Sequence, residues 1–250
     1  AVHMDNGWNS ELAQHNIENL VNKLEVDLFT YVIDWQEYKK LMQAFFEADV
    51  IDIELLYDNA MLAVNYQQAS KYKIKYILSG SNLSTEGMSM PEGMNWFKYD
   101  KRNIKNIAKK FGNIKLKTFP SISTINYLWF EFIKKIHWIS FLNYFDYKKD
   151  QATNYLKLKY DYKEYPYKHY ESVFTRFYQG YILPKKFNVD KRILHLSNLV
   201  ITKQMKRSDA LEKIKKEPYD AEAKLNQDIN FFLKKMDWDK VKLLNYLKRE

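Results

Sequence analysis

The sequence predicts an α/β fold, a parallel sheet with covering helices followed by a mainly helical part. Three observations predict it. Short β-rich runs alternate with helix-patterned stretches between Val2 and Ser79, the order of a parallel sheet built from crossover units. Gly and Pro number only 6 and 5 in 250 residues, too few for a turn-rich β-sandwich. Near residue 95 the strand-like runs give way to helical patterns. Residues 1–95 are therefore expected to form an α/β core, and residues 96–250 a helical region that completes its site.

The elements follow in order. AVHMD alternates and runs into Asp5-Asn6-Gly7, a strand end with a tight turn. Asn9 or Ser10 can cap a helix with apolar positions at Leu12, Ile17, Leu20, Val21 and Leu24. LFTYVI, Leu28 to Ile33, reads as a buried strand. Asp34 and Glu37 make a D-x-x-E capping pattern before a helix carrying Tyr38, Leu41, Phe45 and Phe46. A helix from Asp58 to Tyr72 and a strand at Tyr76 to Ser79 complete the alternation. From Gly80 to Gly93 the chain is a polar loop. Helical patterns then cover 101–111, 124–136, 148–158, 172–183, 192–205, 208–216 and 221 to the end.

Composition narrows the function classes. With 46% hydrophobic and 16% aromatic residues, the chain can bury a sizeable core. Cysteine is absent, which excludes disulfides and thiolate zinc sites within these residues and is compatible with a reducing cytoplasm. The first residues lack the basic and apolar regions of a signal peptide. INYLWFEFIKKIHWISFL is the most apolar region, but Glu131, Lys134, Lys135 and His137 interrupt it, so no membrane span is expected. An amphipathic helix lying on a membrane is the lesser reading of that stretch. The net charge is +9, and Lys168 to Arg207 holds nine Lys or Arg against two acids. That concentration suggests an anionic partner; a solvated basic face is the plain alternative.

Two polar segments lie at carboxyl ends of expected strands, where open parallel sheets bind ligands. They are Asp5-Asn6-Gly7 and SGSNLSTE, Ser79 to Glu86. Glycine permits close backbone approach, Asn82 and Ser84 offer hydrogen bonds, and Glu86 can hold magnesium bridging phosphates. In KHYESVFTRFYQGYILPKKF, the residues Val173, Phe174, Phe177, Tyr178, Tyr181 and Ile182 share helical core spacing. Arg176 and Gln179 must then point elsewhere or be held in a polar site. Lys185, Lys186, Lys191 and Arg192 cluster beyond Pro184. His169 and His195 lack metal-site spacing and read as hydrogen-bonding, acid/base or structural groups.

VHMDNGW, the YILSGSN…EG loop and KHYESVFTRFYQGYILPKKFNVDKRILHLSNLVITKQMKRSDAL together resemble the N-acetyl sugar amidotransferase family. LNYFDYKKDQA and the Glu217-Pro218-Tyr219-Asp220 turn extend the resemblance over nearly the whole chain. These are enzymes of lipopolysaccharide and pseudaminic-acid biosynthesis within the ATP pyrophosphatases, relatives of NAD synthetase and GMP synthetase. The resemblance implies a parallel-sheet, adenine nucleotide alpha hydrolase-like core, with ATP and magnesium as cofactors. It implies conversion of a sugar N-acetyl group to an acetamidino group, with ammonia from a separate glutaminase subunit. The expected partner is an acidic N-acetylated sugar or sugar nucleotide.

The resemblance also implies site residues. Asp5, Asn6 and Gly7 stand beside the adenine, and Gly80, Asn82 and Glu86 match a G-x-N-x-x-x-E loop whose Glu helps hold magnesium. Ser84 lies within that loop. Lys149 resembles a phosphate-contacting lysine, although Phe141-Leu142 replaces the usual Pro-Leu. For catalysis and the anionic sugar the candidates are Arg176 as carboxylate clamp, Lys168, His169, Glu171, Gln179, Lys185, Lys186 and Arg192. The family's S-G-G-x-D-S phosphate loop, and paired cysteines resembling a zinc site, precede the part matched here. The expectation is that the chain alone has little ATP-dependent activity, and that an uncovered sheet edge favours self-association. A tRNA-modifying pyrophosphatase and a non-catalytic interaction module are the alternatives, both ranked behind.

Overall fold

Among the described residues, four short strands pair in parallel, two by two. The computed structural model of the chain describes residues 1–165, 170–219 and 221–249. β1 (Val2–Asp5) pairs with β2 (Phe29–Val32), with Val2 opposite Phe29 and Asp5 opposite Val32. β3 (Tyr76–Ser79) pairs with β4 (His137–Ser140), with Tyr76 opposite His137. The chain divides into two units. The first comprises Ala1–Gly7, Val26–Gly80 and Pro91–Phe141, and the second Trp8–Glu25, Ser81–Met90 and Leu142–Glu250. The chain leaves the first unit at Gly7, Gly80 and Phe141, each time just beyond the carboxyl end of β1, β3 or β4.

The first unit adds α2 (Trp35–Glu47), α3 (Leu55–Lys71), α5 (Lys101–Gly112), α6 (Thr124–Leu128) and a π-helical turn, Trp129–Ile133. Asp34 caps α2, its carboxylate accepting from the Glu37 amide at 3.0 Å. Tyr38, Leu41, Met42, Phe45 and Phe46 of α2 are buried, as are Ile104, Ile107 and Ala108 of α5. Gly112 lets these helices approach closely: a Cβ there would stand 2.9 Å from the Ala44 methyl. Beside this core α3 packs on both β1 and β3. Leu62, Ala63, Tyr66 and Ala69 of α3 join Ile122 and Ile136, with Ile77 and Trp138 of the second strand pair against them. Asn59, fully buried on α3, donates to the carbonyls of Lys98 and Ile122 and accepts from the Ile122 amide.

The second unit holds α1 (Glu11–Leu24), α4 (Leu83–Glu86), α7 (Lys149–Tyr160), α8 (Val173–Phe177) and a π-helical turn, Tyr178–Ile182. α9 (Leu183–Phe187), α10 (Lys191–Ile201), α11 (Arg207–Lys215), α12 (Glu222–Met236) and α13 (Lys240–Lys248) follow. The π turn precedes Pro184, which has no amide hydrogen for a regular helical bond. Trp8, fully buried, anchors the aromatic core against Phe174 at 5.2 Å and Phe232 at 6.3 Å. A backbone bridge ties this entry segment to α8, with Ser10 N donating to Glu171 O and Val173 N to Trp8 O, both at 2.8 Å.

Three features depart from the expectations. The helix expected through Ile136 ends at Ile133, and His137–Ser140 is a strand. β4 brings residues 91–141 back beside β3, so this segment shares a unit with the strands on both sides of residue 95. The expected last helix breaks at Asp237, whose φ of 53° is left-handed, into α12 and α13. Among the described residues no helix is long and apolar enough to cross a membrane.

Glu37 spans a gap between distant segments: its carboxylate accepts from the amides of Lys117, Thr118 (2.8 Å) and Phe119 (2.6 Å) and from the Thr118 hydroxyl (2.7 Å). Burial pushes its carboxyl up, but these hydrogen bonds outweigh burial and hold it below the ordinary value of 4.5. The stabilisation is therefore present above the unfolded value and is lost as pH falls through the folded one. Glu37→Gln is expected to lower stability by about 1 kcal/mol at neutral pH. The difference from the unmutated chain should shrink below pH about 4.5, as read by urea denaturation across pH.

Candidate functional site

The polar loop that follows β3 is held from several sides within the second unit. Asn82 is buried and extended, and its Oδ1 caps α4 by accepting from the Thr85 amide at 2.9 Å and hydroxyl at 3.2 Å. A one-turn helix leaves most of its carbonyls without helical partners, the Gly87 amide reaching only Leu83 O. Side chains of α10 and its exit supply them. Asn198 donates to Leu83 O at 3.2 Å, Thr202 Oγ1 to Ser84 O at 2.9 Å, and Gln204 Nε2 to the same oxygen at 3.0 Å. The Leu83 amide donates to Asn143 Oδ1 at 2.7 Å. At Gly87 a Cβ would lie 2.6 Å from Leu83 O and 3.2 Å from Asn198 Oδ1, so a larger residue would first have to shift the Leu83 carbonyl that Asn198 holds.

Gln204 then reaches further. Its Oε1 accepts from the Lys149 amide at 3.0 Å, at the first residue of α7. One side chain thus holds the loop and the start of α7 together. Glu86 is exposed on α4, close enough to Tyr147 that burial and then the Glu86 charge push that phenol up. Four residues expected at a nucleotide site, Asn82, Ser84, Glu86 and Lys149, therefore belong to one hydrogen-bonded assembly. Asn143, Asn198, Thr202 and Gln204 complete it and were not foreseen individually. Their only sequence signal was membership of LNYFDYKKDQA and HLSNLVITKQM, where a polar side chain on a helix looks solvated until its partner is known.

In the first unit, Asp5-Asn6-Gly7 ends β1. Asp5 Oδ1 accepts from the Gly7 amide at 2.7 Å, and Gly7 has a φ of 77° that a side chain would strain. Asn6 is buried and bonds Tyr38, opposing the burial that pushes the Tyr38 hydroxyl up. Gly80 is exposed at the end of β3, with open space where a Cβ would stand. Among the described residues no group of three His, Asp or Glu could hold a metal ion. Glu86 offers a single carboxylate, enough for magnesium that takes its remaining oxygens from phosphates and water.

Three of the described basic residues of the block, Arg176, Lys186 and Arg192, are committed internally. Arg176, expected as a clamp for a substrate carboxylate, grips Asp228 instead, through Nε at 2.6 Å and Nη2 at 2.7 Å. Both side chains are almost wholly buried, and Tyr219 adds a 3.0 Å bond to the same carboxylate. Burial first, then the Asp228 charge, pushes the Tyr219 hydroxyl up. The Arg176 guanidinium lies over the Tyr170 ring at 5.2 Å. Arg192 pairs with Asp190 at 2.7 Å and donates to Lys216 O. Lys186 donates to the carbonyls of Tyr246 and Arg249. Lys185 is exposed, and Glu171 and Gln179 are half-buried. Lys168, His169 and Asp220 lie outside the described residues.

Removing Asp228 strands a buried guanidinium. Asp228→Ala is expected to cost about 3–5 kcal/mol in urea denaturation, whereas Arg176→Met with Asp228→Leu should recover most of it. Gln204→Ala should loosen the loop and the start of α7 together, speeding amide exchange at Glu86 to Gly87 and at Lys149 by roughly fivefold. Faster exchange at only one of the two would show that Gln204 does not couple them.

Residues 171–250 match the family model described as "LPS biosynthesis protein WbpG-like, C-terminal domain". No curated protein matches the chain. The matched segment includes Arg176, Tyr219 and Asp228 of the buried pair and Asn198, Thr202 and Gln204 of the loop clamp. Its likeness is to a lipopolysaccharide-biosynthesis protein.

Proposed function

We propose that the chain works in lipopolysaccharide biosynthesis as the synthetase part of an ATP-dependent amidotransferase acting on an acidic N-acetylated sugar. One observation carries this reading. The segment similar to a lipopolysaccharide-biosynthesis domain supplies the three side chains that hold Leu83 and Ser84 of the loop, and one of them, Gln204, also accepts from the Lys149 amide. The likeness to a lipopolysaccharide-biosynthesis domain and the loop read here as nucleotide-binding thus fall in one hydrogen-bonded assembly, which supports the reading.

An amide carbonyl is a poor electrophile because its oxygen leaves badly. Bound ATP would supply the activation, its adenylyl group passing to the amide oxygen with loss of pyrophosphate. Ammonia then adds to the carbon and AMP leaves with the oxygen, yielding the acetamidino group. The chain's own share is positioning and charge stabilisation. Lys149 would hold phosphate oxygens and Glu86 the accompanying magnesium, with Asn82 keeping α4 in place. With Arg176, Lys186 and Arg192 engaged within the fold, the exposed Lys185 is the described lysine assigned to an anionic sugar. A glutaminase subunit is assigned as the ammonia source.

Calorimetric titration with ATP and magnesium, and separately with an N-acetylated sugar acid, tests the assignment. Lys149→Ala and Glu86→Gln are expected to weaken nucleotide binding about tenfold each and leave sugar-acid binding unchanged. Nucleotide binding indifferent to both substitutions, or a chain that takes up neither ligand, would sink the proposal.

A further inference from the structure

The stretch Thr124–Ile133 carries an apolar face that the fold does not bury. It is one helical run, α6 continuing into its π turn. Its inner side sets Tyr127 and Phe130 against Tyr66, with ring centroids at 6.0 and 5.2 Å. Its outer side is Ile125, Leu128, Trp129, Phe132 and Ile133, exposed by 78, 44, 43, 68 and 69%. Those positions follow one another at helical spacing, the pattern of a face that packs on something. Exposed apolar residues scattered singly are ordinary, but five large ones in a stripe are an interaction surface.

The rim of the stripe is basic. Lys134 and Lys135 follow it directly, and the Lys134 ammonium lies over the Trp129 ring at 4.8 Å. Lys75 donates to Lys134 O at 2.9 Å, which brings the α3–β3 turn, with Lys71 and Lys73, to the same end. All five lysines are exposed. Residues 70–76 and 121–136 contain a single acid, Glu131, and it is paired with His137 at 2.7 Å.

We infer that this stripe is a docking surface for an anionic lipid surface, with the helical run lying in the plane of the headgroups. Charge complementarity selects this occupant. Aromatic and branched aliphatic side chains enter the headgroup boundary, Trp129 sits at the depth indole favours, and the lysine stems extend toward lipid phosphates. Parallel self-pairing of the stripes would bring two lysine ends together, whereas antiparallel pairing would separate them and leave the lysines without an anionic partner, so a dimer is the rival outcome that the test separates. Attachment is peripheral, as no described helix is long and apolar enough to cross a membrane.

Vesicle sedimentation of the full chain tests this, using phosphatidylglycerol–phosphatidylcholine vesicles against phosphatidylcholine alone, with tryptophan emission read in parallel. The chain should sediment with the anionic vesicles, less at high salt, and show a blue shift that Trp129→Phe removes. Phe132→Ser with Ile133→Ser keeps every charge and should lower partitioning about tenfold. Lys134→Glu with Lys135→Glu should lower it similarly on anionic vesicles. Sedimentation that the apolar pair of substitutions leaves unchanged would be bulk attraction of a chain of net charge +9 and overturns the inference. It is overturned equally by no sedimentation, or by a concentration-dependent dimer that Phe132→Ser dissolves in place of vesicle binding.

Discussion

The second unit depends on a charge it cannot leave unpaired. Arg176 sits in the same helix as Phe174 and Phe177, so packing those rings into the Trp8–Phe232 core takes the guanidinium inside with them. An unpaired guanidinium there would be prohibitively costly. Asp228 resolves this from α12, four residues before Phe232, which places the carboxylate and the core ring on one helical face. Tyr219 completes the carboxylate's hydrogen bonds. The pair contributes little net stability over an apolar isostere, but it fixes how α8 and α12 meet. Gly180 belongs to the same arrangement, since a Cβ there would stand 3.0 Å from the Tyr219 ring.

The loop between Asn82 and Gly87 is built on α10. α4 is too short to hold itself, because nearly all its amides and carbonyls are terminal ones. Asn82 satisfies donors at its start, while Asn198, Thr202 and Gln204 satisfy acceptors within it. Loops of this kind usually owe their mobility to unsatisfied backbone groups. Here the backbone is spoken for, which leaves the exposed Glu86 and the half-buried Lys149 on a supported frame.

The first unit solves the same problem with one asparagine. Asn59 replaces missing backbone partners for the chain at Lys98 and Ile122, both far away in sequence. Nearby, Lys98 bridges Asp52 at 2.8 Å and Asp58 at 3.0 Å, so the segment entering α5 is fixed at two points. The strand pairs meet α3 on one side, while Val32, Tyr76 and Leu78 are exposed by 68, 61 and 63%. Parallel strands are ordinarily covered on both faces. That ordinary coverage is why LFTYVI reads as a buried strand, although Ile33 alone of its six residues is buried.

Local chemistry was legible wherever it acted within a few residues. Ser10 and Asp34 side chains reach amides three residues on, so the starts of α1 and α2 show where they stand, whereas Asn82 caps α4 in the same way inside a stretch read as a polar loop. β3 stood out between its flanking lysines and Gly80, and the core positions of the Ser172–Leu183 stretch showed in their helical spacing. Helix ends were less legible, because glycine is scarce: Glu25, Asn113, Asp161, Asn188 and Asp237 take the left-handed cap that glycine usually marks. Only tertiary structure decided the rest. β4 is four residues whose strand character exists through pairing with Tyr76–Ser79, some sixty positions earlier, so no local pattern announces it. Arg176 could be read as a clamp for a carboxylate, and it is one; that the carboxylate belongs to Asp228 follows from how α8 packs on α12. Side-chain type fixes what a group can bond, and long-range packing fixes what it meets.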